Sequence, residues 1–403
     1  GLGFTTKDAA SLYGTYTMAV YLLSVPGGLI ADRILGQSRA VLFGGVIIAC
    51  GHFSMAFHSL PMFYTGLCLI AVGTGLLKPN ISTMVGSLYP PGDTRRDSGF
   101  SLFYMGINIG AVMAPLVCGW LAESASFKSF LTERGFDPSH SWHWAFGAAG
   151  VGMLVGLAVY TRGMSKMPIT ARKMAIEVKH PDLTSAEWKR ILAIGILFAS
   201  TILFWSAYEQ KGASLNLFAK NLVSTTLFGY QFPASWLQSL TPLYVIILAT
   251  PFARLWVRLG DRQPSGSKKF ALGLLAIGIG MLLLVPASAM TASGKISPMW
   301  LVCVYLFDVI GEMCLSPVGL SMVTKLSPPK IAGVMMGAWF FATSLGNKLA
   351  GYFAGFFTID DPTTLMRLYG GIGALVLSGA LVLWFASPKI EKMAGQNNRE
   401  NGA

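Results

Sequence analysis

The stretch WLVCVYLFDVIGEMCLSPVGLSMV, Trp300 to Val323, is apolar enough and long enough to cross a bilayer, yet it carries Asp308 and Glu312 near its middle. About 20 apolar residues suffice for one crossing. A carboxylate at bilayer depth is costly, so it needs a partner, a wet cavity or a function. A second run poses the opposite question. TGLLKPNIS, Thr74 to Ser82, buries Lys78 in apolar sequence.

The rest of the chain has the same character. It has 403 residues, 53% hydrophobic and 12% charged. Soluble domains carry about 25% charged residues, so the composition points to an all-α polytopic membrane protein. Eleven spans are expected, near 13–32, 39–58, 61–86, 97–122, 142–161, 190–210, 234–257, 269–289, 299–324, 331–357 and 366–386. The five cysteines all fall inside apolar segments, which suggests neither a disulfide framework nor a zinc site.

The net charge of +12 lies in short loops and not on a soluble face, which argues against a nucleic-acid partner. Of the 30 Lys and Arg residues, 21 fall on one set of alternate loops and seven on the other, with Lys78 and Lys348 inside spans. The positive-inside rule makes the richer side cytoplasmic. The chain then begins outside and ends inside. The longest cytoplasmic loop divides it into an amino-terminal bundle (1–162), a linker (163–189) and a carboxy-terminal bundle with its tail (190–403). Five helices precede the linker and six follow it. Matched halves are usual in transporters, so a twelfth helix is expected before Gly1.

Several local patterns bear on function. Glu312 is far from either interface, and Gly311 and Pro317 loosen the helix around it; a proton-binding role is expected. Asp308 lies one turn away on the same face. Lys78 precedes Pro79, which removes a backbone hydrogen bond, and is read as facing a cavity. Lys348 is read as snorkelling outward. Asn108 sits mid-membrane in FSLFYMGINIGAVMAPLVCGW, either as interhelical glue or as a ligand contact. GGLIADRILGQSR, Gly27 to Arg39, closes the first span with Asp32 and Arg33, read as a conformational gate or a plain basic turn. Glu209 is a rim charge beside Lys211. His140 and His143 form an HxxH with no further ligand in sight. Thr184 or Ser185 with Glu187 signals a helix start. No P-loop, HExxH or GxSxG occurs, and no nucleophile–base constellation, so an enzyme is not expected.

GGLIADRILG, GTGLLKPNISTMVGSLY, FYMGINIGA, FWSAYEQKGASLNLFA, PASWLQSLTP, GEMCLSPVGLSMVTKL and GAWFFATSLGNKLAG together resemble the proton-dependent oligopeptide transporters of the major facilitator superfamily. They occur in family order across the chain. The resemblance implies a twelve-helix facilitator fold, eleven helices of it present, importing di- and tripeptides with protons by alternating access. It implies that Lys78 binds the peptide carboxylate, and that Glu312 binds the amino terminus with help from Asn108. It further implies that Tyr21, Trp205 and Trp339 line side-chain pockets and that Glu209 is a proton site. The gate would involve Asp32, Arg33, Lys78 and Glu312.

Two departures stand out. Thr241 occupies a substrate position where many members have asparagine, and the first-helix ExxER motif is absent. No cofactor is implied beyond the coupling proton. The expected partners are peptide, protons and membrane lipid, in a bacterial inner membrane. The alternatives are another small solute, such as nitrate, a drug or an amino-acid derivative, or a peptide sensor that does not transport.

Overall fold

The computed structural model describes residues 3–88, 96–164, 183–227, 229–328 and 332–395. Fourteen α-helices follow in order: α1 (Thr6–Leu22), α2 (Ser24–Ile30), α3 (Gln37–Met55), α4 (Leu60–Ser87), α5 (Arg96–Glu123), α6 (Ala125–Glu133), α7 (Ser141–Met164), α8 (Ser185–Tyr208), α9 (Ser214–Leu222), α10 (Leu240–Leu259), α11 (Gly266–Met290), α12 (Met299–Leu326), α13 (Ala332–Ala354) and α14 (Pro362–Ala394). The described extended structure is a two-residue hairpin pairing Thr226–Leu227 with Tyr230–Gln231, and one bridge from Val223 to Ile296.

Among the described residues, ten helical segments are long and apolar enough to cross a membrane. Eleven were expected. The segment expected at 331–357 forms α13 but lies outside that set of ten. Residues 165–182 of the expected linker are outside the described residues.

Local chemistry explains several boundaries. The Thr184 hydroxyl accepts from the Glu187 amide at 3.3 Å, and the Glu187 carboxylate accepts from the Thr184 amide at 2.8 Å. This reciprocal cap satisfies two donors that the start of α8 leaves open. At the other end of α8 the chain tightens into a 3₁₀ turn, Glu209–Gly212, before α9 resumes. The sequence predicts an end near 210; instead the apolar segment continues to Leu222. The first expected span also divides. After α2, Ala31–Leu35 forms one wide π-helical turn that ends at Gly36, whose φ of 77° suits glycine.

The chain forms two compact units. The first comprises Gly1–Phe4, Thr15–Glu177 and Thr225–Pro242. In it α3 packs along α4 and α7, α5 packs on α7, and α2 on α4. Ile48, Met55 and Ile70 form a buried cluster, flanked by Leu77 and Phe146. Thr225–Pro242 belongs here because it is tied to α5. Trp236 Nε1 donates to the Leu116 carbonyl at 3.1 Å, Ser239 Oγ to the Val112 carbonyl at 2.8 Å, and Ser235 Oγ to Glu123 Oε2 at 3.1 Å.

The second unit comprises Thr5–Gly14, Val178–Ser224 and Leu243–Ala403. Here α11 lies against α12, α14 and α8, and α8 against α13 and α14. Val245, Val309 and Met313 form a buried cluster between α10 and α12. Thr5–Gly14 joins this unit through small residues, Ala10 clustering with Ala213 and Ala354.

Candidate functional site

In the second unit, α8 and α12 assemble polar groups inside apolar helices. Tyr208, the last residue of α8, donates its hydroxyl to Glu312 Oε2 on α12. Trp205, one turn earlier, meets the Tyr208 ring edge-on at 5.0 Å, and Phe204 stacks on it at 5.5 Å. The Lys211 ammonium, from the turn that follows α8, sits 3.5 Å from the centroid of the Tyr208 ring. That is a close cation–π contact. Lys211 also acts electrostatically on Glu312 and on Asp308. Glu209, in the same turn, accepts a hydrogen bond from Tyr13 at 3.1 Å.

Asp308 is fully buried, and neither carboxyl oxygen has a hydrogen-bond partner among the described residues. The Trp205 indole nitrogen is likewise buried without one. Trp339, read from the resemblance as a pocket wall, packs edge-on against Phe198 at 6.1 Å and Phe270 at 6.4 Å.

In the first unit, the Lys78 ammonium lies 3.8 Å from the centroid of the Tyr21 ring. The structure thus brings together two residues that the resemblance assigned to different parts of the substrate. Lys78 sits in α4 just before its internal Pro79. Asn108 is buried in α5 and donates to the Tyr104 carbonyl, one turn back, at 2.9 Å. Thr241, in the first turn of α10, is buried with its hydroxyl lacking a hydrogen-bond partner among the described residues. Arg33 is exposed, and the side chain of Asp32 lies outside the described residues.

Three participants escape sequence reading. Tyr208 and Tyr13 look like ordinary aromatic residues in a span, and Lys211 looks like a charge that screens Glu209. The signal for Lys211 is its position in YEQKG, just past an apolar helix end. A further finding concerns the HxxH pair. His58 joins it, with Nδ1 3.0 Å from Nε2 of His143 and its ring 4.2 Å from that of His140.

A family profile described as PTR2: POT family matches residues 38–174 and 164–367. The chain belongs to the POT family. Among its POT relatives, "Peptide transporter YePEPT" of Yersinia enterocolitica is 35% identical over 461 residues, covering 96% of this chain and 87% of that protein. A "Di-/tripeptide transporter" of Lactococcus lactis is 31% identical, covering 98% of this chain and 89% of that one. The crystal structure of a peptide transporter POT in complex with sulfate superposes with a TM-score of 0.87 at 34% identity, over 98% of this chain and 88% of that one. The POT assignment carries the all-helical transporter fold with it. The chain is a multi-pass membrane protein of a transporter family, not an enzyme.

Proposed function

We propose that this protein imports di- and tripeptides in symport with protons across a bacterial plasma membrane, with its carboxy terminus in the cytoplasm. The observation that carries this reading is the constellation of Tyr208, Lys211 and Glu312 within apolar helices of a POT-family chain, with Lys78 on an apolar helix of the other unit. A zwitterionic peptide needs a fixed cation and a fixed anion. Lys78 supplies the cation for its carboxylate and Glu312 the anion for its ammonium. Tyr21, Asn108, Trp205, Thr241 and Trp339 complete the substrate contacts. Glu209 and Glu312 handle the proton, and Asp32 and Arg33 act with Lys78 and Glu312 in gating.

The energetics suit accumulation. A proton moving through ~100 mV gains ~2.3 kcal/mol, and one unit of ΔpH adds about 1.4 kcal/mol. Together they support roughly 500-fold accumulation per proton. The test is uptake of labelled dialanine into proteoliposomes under an inward proton gradient. Glu312→Gln should lose gradient-driven accumulation. A protein that binds dialanine but shows no counterflow is a sensor. A protein whose uptake is blocked by nitrate and not by excess peptide transports another solute.

A further inference from the structure

Glu312 faces two conflicting demands. To hold the peptide ammonium it must present a carboxylate, because a neutral carboxyl is a poor partner for a cation. To couple transport it must carry a proton. One side chain cannot meet both demands at the same moment, and a second acid lies within reach.

Asp308 precedes Glu312 by four residues on α12, which places both carboxyls on one helix face, one turn apart. Its side chain is entirely buried, and neither oxygen has a hydrogen-bond partner among the described residues. Glycine makes this burial possible. A Cβ at Gly280 of α11 would lie 3.2 Å from Phe307 Cβ and 3.6 Å from Asp308 Oδ1, so α11 closes directly over the carboxyl. An ionised carboxylate without hydrogen bonds in such a place neutralises instead of paying the desolvation cost. Glu312 differs in both respects. It is only half-buried and accepts the Tyr208 hydroxyl.

Among the described residues, five charged or titratable groups bear on the two acids, directly or through Tyr305. Tyr305 and Glu312 face Asp308 from its own helix, Tyr208 from α8 and Lys211 from the turn after α8. Tyr369 of α14 faces Tyr305, and Glu209 faces Glu312. Lys211 is the cation common to both acids.

We propose that Asp308 is the proton-holding acid of the second unit, which leaves Glu312 ionised to receive the amino terminus of the substrate. The assignment rests on the peptide-symport reading for its role and on burial and geometry for its chemistry. Two carboxyls and one ammonium are neutral together when the pair holds one proton. Transfer from Asp308 to Glu312 breaks one O–H bond and forms another, and the negative charge passes the opposite way. Lys211 neutralises either arrangement, so the step creates no net charge inside the membrane. The proton is thus parked on Asp308 while peptide occupies Glu312, and returns to Glu312 when the peptide leaves.

The experiment compares wild type, Asp308→Asn and Asp308→Glu in liposomes, alongside infrared spectra of the same proteins at neutral pH. Asp308→Asn should exchange dialanine within about twofold of wild type, and its accumulation under an inward proton gradient should fall at least about tenfold. Asp308→Glu should restore part of that accumulation. The carbonyl stretch of a neutral carboxylic acid should be present in wild type and weakened in Asp308→Asn. Normal accumulation by Asp308→Asn overturns the proposal, as does a neutral-acid band unchanged by the substitution. A wild-type protein lacking that band overturns it even if neither variant folds. If the band behaves as expected while wild type exchanges no peptide, the substrate reading fails and the assignment of the proton to Asp308 stands.

Discussion

The Tyr208 hydroxyl donates to a carboxylate oxygen of Glu312 across 104 residues of chain. Three contacts hold the tyrosine in place, with Phe204 stacked on its ring, Trp205 at its edge and the Lys211 ammonium over its face. The hydrogen bond in turn fixes the orientation of Glu312. Bonds to charged groups contribute about 1.5–3 kcal/mol. Tyr208→Phe keeps the ring and removes the donor. It should raise the KM for a free-amino dipeptide about tenfold and leave an N-acetylated dipeptide within about twofold. Exchange kinetics with the two substrates measure this. An equal rise for both would show that Tyr208 does not act through the amino-terminal site.

Lys78 and Tyr21 make a second testable pair. The ammonium lies over the ring at 3.8 Å, a contact worth about 0.5–2 kcal/mol depending on its desolvation. Tyr21→Phe preserves the ring face and should change uptake little. Tyr21→Leu removes it and should weaken binding of free-carboxylate peptides by roughly three- to tenfold. Lys78→Ala should do the same more severely and spare peptide esters. Competition by each substrate class against labelled dialanine is the readout. Equal losses for acids and esters would remove Lys78 from the carboxylate site.

Much of this arrangement is visible in sequence where the cause is local. The expected spans 39–58 and 61–86 correspond to α3 and α4, because continuous apolar sequence marks a membrane helix directly. The start of α8 is equally legible, since Thr184 and Glu187 cap each other within one turn. The end of α8 is legible too, since the span expected to close at 210 gives way to the turn Glu209–Gly212; the resumption as α9 is not, because Ser214–Leu222 lies beyond the expected end of that span. The link between Tyr208 and Glu312 is invisible for a different reason. It depends on how α8 and α12 are rotated about their axes, which no periodicity in either segment states. Their apolar residues run around the whole helix, so no single polar stripe points to the partner.

Gly27 and Gly28 are adjacent in the GGLIADR motif, yet they should respond oppositely to alanine. A Cβ on Gly27 would lie 2.1 Å from the Gly75 carbonyl oxygen, and one on Gly28 meets nothing within 4 Å. α2 therefore packs backbone to backbone on α4 at Gly27 and not at Gly28. Gly27→Ala must push the two helices apart, and overpacking of this kind costs about 1–3 kcal/mol or more. Gly28→Ala replaces a flexible helical residue at no steric cost and should stabilise by about 0.5–1 kcal/mol. Thermal unfolding of the detergent-solubilised protein, followed by tryptophan fluorescence, should rank the three proteins Gly28→Ala, wild type, Gly27→Ala. A Gly27→Ala protein as stable as wild type would deny the close approach of these helices.

Asp361 offers a test of acid sensitivity outside the membrane helices. It caps α14, its carboxylate accepting from the Thr364 hydroxyl and from the Thr363 amide at 2.9 Å. The Thr364 hydroxyl, followed by the backbone amides of Thr363 and Thr364, holds the carboxyl below its ordinary value of 3.8. A depressed folded-state value means that the cap contributes fully above the unfolded value and is lost as pH falls through the folded one. Asp361→Ala should therefore lower the unfolding temperature by roughly 1–2 °C at about pH 6. That difference should shrink as pH drops below about 4, where the wild-type cap protonates. Asp361→Asn keeps an acceptor oxygen that cannot ionise, so it should retain most of the stability and lose its dependence on pH. A gap between wild type and Asp361→Ala that stays constant from about pH 6 to pH 3 would mean that the carboxylate charge contributes nothing to the start of α14.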